Sequence, residues 1–102
     1  MISLILDNQA AIRSLCQKYH VARLEVFGSA VGGDFDASRS DVDFLVEFHS
    51  APEMGAADQY FGLLEELQGI LSVRVDLVCA RAMRNRFFIR SVNATRKELY
   101  AA

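Results

Sequence analysis

Two periodicities take turns along the chain. Between Leu4 and Tyr19 the apolar positions Ile5, Ile12, Leu15, Cys16 and Tyr19 fall at helical spacing, with Gln9, Arg13, Gln17 and Lys18 between them, which predicts an amphipathic helix. Arg23–Phe27 then alternates and stops at Gly28, and Asp41–Phe48 alternates for longer, with Val42, Phe44, Val46 and Phe48 on one side; both predict strands. Ser50 to Gly55, with Pro52, reads as a loop. Tyr60, Leu64, Leu67 and Leu71 restore the helical period through Asp58–Leu71, and Val73–Val78 predicts a third strand with Val73, Val75 and Leu77 on one face. Residues 81–102 read as helical in part, with Phe87 and Phe88 as packing residues. Helix, strand, short turn, strand, helix, strand, helix is most economically an α/β (α+β) domain, one short mixed sheet packed with helices, over residues 1–102.

Composition adds limits. The chain is 52% hydrophobic with a single proline, which favours a packed core over disorder. No apolar run approaches the ~18 residues of a membrane span, and Met1 to Leu6 lacks the basic flank of a secretory signal. The cytoplasm is the expected compartment, with Cys16 and Cys79 as reduced thiols. The net charge of −2 conceals an asymmetry: residues 81–102 hold six basic groups (Arg81, Arg84, Arg86, Arg90, Arg96, Lys97) against Glu98, leaving −7 for residues 1–80. A basic end of this kind fits an anionic ligand or partner, or simply a solvated helix face.

The unusual feature is a pair of carboxylates inside an apolar strand. Side chains alternate along a strand, so Asp41 and Asp43 project to one face, about 6.6 Å apart. Asp76, opposite to Val73, Val75 and Leu77, comes within a cross-strand step of Asp43 if the two strands pair. Clustered carboxylates raise one another's pKa and call for a cation, and an all-oxygen set suits Mg²⁺ held together with substrate phosphates. The bland reading is a polar strand face in water. Gly28, with no Cβ, followed by Ser29 and Ala30 with a hydroxyl and backbone N–H groups at the start of a short helix, offers donors to phosphate; Ser29 reads equally as a helix N-cap. Asp34 and Asp36 read as a polar loop, and His20 and His49 as surface residues.

Better-known phosphate and metal motifs fail. No lysine follows the glycines, "GSAVGG" is not G-x-G-x-x-G, and Asp36–Glu47 carries Asp41 where an EF-hand loop needs glycine.

Gly28-Ser29, eleven residues, Asp41-Val42-Asp43 and then Asp76 on a following strand resemble the polymerase-β-type nucleotidyltransferases. In size the chain is similar to the minimal nucleotidyltransferases, the antitoxin components of HEPN/MNT toxin–antitoxin pairs. The resemblance runs through "LEVFGSA", "SDVDFLVEF" and "RVDLV" to "ELYAA". It implies that Gly28 and Ser29 hold the nucleotide phosphates, that Asp41 and Asp43 coordinate two Mg²⁺ ions, and that Asp76 completes the metal site toward the acceptor hydroxyl. It further implies ATP as substrate, and transfer of AMP to a tyrosine hydroxyl of a HEPN-domain toxin. A non-catalytic antitoxin acting by binding, and a transferase for small molecules, are the alternatives. Ala30 and Gly32 stand where many members carry arginines, so charge neutralisation falls to metal or to cations elsewhere, with Arg39, Arg84, Arg86 and Arg90 as candidates.

Overall fold

The computed structural model describes residues 1–32, 35–36 and 41–102. Five helices and four strands follow in the order α1 (Ser3–Leu6), α2 (Gln9–Lys18), β1 (Val21–Phe27), α3 (Ser29–Gly32), β2 (Val42–Phe48), α4 (Ala56–Leu71), β3 (Val75–Cys79), α5 (Arg86–Thr95) and β4 (Lys97–Ala101), with a 3₁₀ turn at Ala80–Ala82. The strands form one mixed sheet in the order β3-β2-β1-β4. β1 lies antiparallel to both β2 and β4, and β2 runs parallel to β3 through the crossover that contains α4. Among the described residues no helix is long and apolar enough to cross a membrane.

The two faces of the sheet do different work. One buries Leu24, Val26, Val42, Phe44, Val46 and Leu77 beneath α2, through Ile12, Leu15 and Cys16, and beneath α4, through Leu63, Leu67 and Leu71. The other carries only a small apolar cluster, where Phe27 and Leu45 meet Val92 of α5. A register shift between Val21 and Arg23 lets Val21 and Leu24 both enter the main core although they are three residues apart. An extra residue in a strand inverts the alternation beyond it.

Several expectations change. The first helix is two, because Asn8 donates from Nδ2 to the Leu4 carbonyl at 2.8 Å. An Asn side chain offers the backbone such an alternative to helix continuation. The third strand starts at Val75 rather than Val73, and the second at Val42, so Asp41 precedes it. The tail ends in a strand: Lys97–Ala101 pairs with β1, whereas its Lys, Glu and Ala favour no strand by themselves. Of the two phenylalanines expected to pack, Phe88 meets Phe27 edge-to-face at 6.0 Å, while Phe87 is 70% exposed.

Candidate active site

The site lies on the thinly covered face, at the starting ends of the parallel strands. Asp43 stands in register with Phe27 of β1 on one side and with Asp76 of β3 on the other. Neighbouring strands are about 4.8 Å apart, so the two aspartates are immediate cross-strand neighbours. Asp76 is exposed and Asp43 is half-buried. Burial first, then the charges of Asp76 and Asp41, push the Asp43 carboxyl up to about 6 from its ordinary 3.8.

Asp41, one residue before β2, is drawn the other way. Its Oδ1 lies 3.0 Å from Nε of Arg74, the residue before β3. Among the described residues no three His, Cys, Asp or Glu side chains are grouped to hold a metal ion. The donor set still fits one: two adjacent carboxylates with all-oxygen chemistry, one of them with its pKa raised by burial and by the charges of its fellow aspartates, suit Mg²⁺. That ion commonly takes one or two carboxylates and completes its shell with phosphate and water.

The Gly-Ser turn packs directly on Asp43. Gly28 has φ +76°, and a Cβ there would meet Asp43 Oδ2 at 2.8 Å. Both the left-handed backbone and the close approach therefore require glycine. Ser29 begins α3, whose turn closes as Val31 N–H and Gly32 N–H donate to the Gly28 carbonyl at 3.0 and 3.3 Å. The first N–H groups of a helix have no partner within it, which leaves that of half-buried Ser29 for a ligand, whereas Ala30 is fully buried in the core. The N–H of Gly28 itself is used: it donates to Thr95 Oγ1 at 2.7 Å.

The structure thus brings together Gly28, Ser29, Asp43 and Asp76, with Asp41 adjacent through its Arg74 pair. The candidate cations Arg84, Arg86 and Arg90 are exposed, and Arg84 donates to the carbonyls of Arg81 and Met83. Arg39 and Asp34 lie outside the described residues. Sequence reasoning missed Arg74 and Thr95. Arg74 was within reach, as a basic residue two before Asp76 in "RVDLV". Thr95 was not, since its partner is 67 residues away. A cleft of about 440 Å³, lined in part by Phe48, His49, Tyr60 and Arg81, opens at the far ends of β2 and β3 and is separate from this constellation.

A mixed sheet that sets a Gly-Ser turn against strand aspartates defines the class, an α/β domain of the nucleotidyltransferase type. The nucleotidyltransferase domain family matches residues 9–99, and the chain belongs to that family. It is similar to the protein adenylyltransferase MntA of Thermococcus cleftensis, at 34% identity over 72% of this chain and 70% of that protein. Among solved structures it is similar to a proposed minimal nucleotidyltransferase, with a TM-score of 0.73 and 29% identity over 91% of this chain and 90% of the other. It shares its fold with a chain of a complex between a tri-AMPylated Shewanella oneidensis HEPN toxin and an MNT antitoxin. There the TM-score is 0.61 and the identity 22%, over 95% of this chain and 72% of that one.

Proposed function

We propose that this nucleotidyltransferase transfers AMP from ATP, with Mg²⁺, to a tyrosine hydroxyl of a HEPN-type toxin and silences it. The observation that carries the reading is the Asp43–Asp76 register pair with Gly28 closed against Asp43, so that phosphate donors and carboxylates share one small surface. The AMPylated state of the toxin in the fold relative's complex supports the choice of acceptor class.

In this reading Ser29, through its hydroxyl and N–H, holds the phosphates over the Gly28 turn. Asp43 and Asp76, with Asp41 beside them, would hold Mg²⁺. Bound there, Mg²⁺ would neutralise phosphate charge and favour departure of pyrophosphate. The acceptor hydroxyl oxygen bonds to the α-phosphorus, the α–β anhydride bond breaks with pyrophosphate leaving, and the hydroxyl proton passes to the Asp76 carboxylate. Arg74, beside Asp41, supplies a cation to a turn that carries none of its own.

The experiment mixes the purified chain, a HEPN protein encoded beside it, Mg²⁺ and ATP labelled at the α-phosphate. Wild type should label the partner on tyrosine, and an Asp41→Asn/Asp43→Asn variant should not; equal labelling by both would sink the proposal. The engagement of Asp41 by Arg74 favours one second reading, neutralisation by binding alone. In that case the double variant would still suppress toxicity in cells.

A further inference from the structure

The Gly28 turn is held from a distance, by the last residue of α5. We infer that Thr95 is a positioning residue for nucleotide binding: its hydroxyl accepts the Gly28 N–H and so fixes how the Ser29 donors face the carboxylates. The inference rests on the function proposed above.

Three observations meet at this contact. The bond is short, 2.7 Å, and partly buried, where an N–H without a partner is costly. Gly28 sits at φ +76°, a conformation that glycine leaves readily, so the backbone needs an outside anchor to stay there. The anchor is itself rigid on both sides: Val92 of α5 is fully buried against Phe27 and Leu45, and Arg96, just after the helix, donates from Nε to Glu25 Oε2 at 2.9 Å.

Thr95 therefore transmits the position of α5 to the turn. With the Gly28 N–H spent on Thr95, the turn is held in the orientation that presents the Ser29 N–H and hydroxyl to a phosphate. Without the acceptor, Gly28 N–H competes for the ligand or for water, and the closed contact with Asp43 loosens. The effect should fall on nucleotide binding more than on the chemical step, because the bond Thr95 makes is to the backbone of the turn.

Thr95→Val keeps the shape and removes the acceptor, while Thr95→Ser keeps the acceptor and removes a methyl group. Nucleotide affinity is measured calorimetrically with a non-hydrolysable ATP analogue and Mg²⁺, beside KM and kcat for labelling and the melting temperature. Thr95→Val should weaken affinity and raise KM by about 5- to 50-fold, the range set by losing one partly buried hydrogen bond, with kcat changed less. Thr95→Ser should restore both. If wild type binds the analogue and Thr95→Val binds it equally well, whatever its melting temperature, Thr95 only supports the fold and the inference is overturned. Failure of Thr95→Ser to restore affinity would overturn it as well. If wild type binds no nucleotide, the proposed function falls, and this inference with it.

Discussion

Replacing Asp43 by asparagine should make the protein more stable while removing its activity. Asp43 is wedged between Phe27 and Asp76, and its carboxyl is pushed up to about 6 from 3.8, by burial first and by Asp76 and Asp41 next. At about 1.36 kcal/mol per tenfold in proton affinity the difference corresponds to roughly 3 kcal/mol of unfavourable ionisation in the folded state. The group is only half-buried, so solvent screening reduces this to about 1–1.5 kcal/mol. The sign runs against the usual carboxylate. Below pH 3.8 the side chain is protonated in both folded and unfolded chains and contributes nothing; between 3.8 and about 6 the folded chain holds the extra proton; above about 6 the full penalty applies. Asp43→Asn should therefore raise the melting temperature at pH 7.5 by about 4–12 °C, at 4–8 °C per kcal/mol for a domain of this size. That gain should vanish near pH 3.8. Excess Mg²⁺ should stabilise wild type and leave the variant unchanged. Differential scanning calorimetry at the two pH values, with and without Mg²⁺, measures all of this. A variant no more stable than wild type at pH 7.5, or a gain independent of pH, would refute the account of a strained carboxylate.

Two further perturbations test the frame around the site. Gly28→Ala must carry a Cβ at φ +76° and 2.8 Å from Asp43 Oδ2, so it should cost about 1–2 kcal/mol of backbone strain and lose nucleotide binding; unchanged melting and affinity would contradict the close approach. Arg96→Ala removes the main partner of buried Glu25, whose carboxyl Arg96 holds below its ordinary 4.5. Because the Arg96 side chain is 32% exposed, the loss should be about 2 kcal/mol rather than the 3–5 of a fully buried pair. A carboxylate with lowered pKa stabilises above its unfolded value, so the deficit measured by urea denaturation should be full at pH 7 and shrink as pH falls below 4.5.

Local pattern was enough for the parts whose signal is periodic. The strand faces at Arg23–Phe27 and Asp41–Phe48, the amphipathic α4 and the placement of Asp76 opposite Val75 and Leu77 follow from alternation and 3.6-residue spacing, because burial enforces both. The same pattern put Asp41, Asp43 and Asp76 together on chemical grounds and joined them to the Gly28-Ser29 turn. Elements that depend on a partner far along the chain leave no such local trace. β4 is a strand because β1 offers an open edge to residues 97–101, which their own propensities do not demand.

The site divides in the same way. By itself the sequence determined which side chains offer charge and donors, since a glycine, a serine and three aspartates at that spacing declare both wherever they fold. Only the tertiary structure decided how they are placed. It paired Asp43 with Asp76, turned Asp41 toward Arg74, and tied Gly28 to Thr95 across 67 residues. Each of those depends on strand register and helix docking, which are set by burial summed over the whole core rather than by any short stretch of chain.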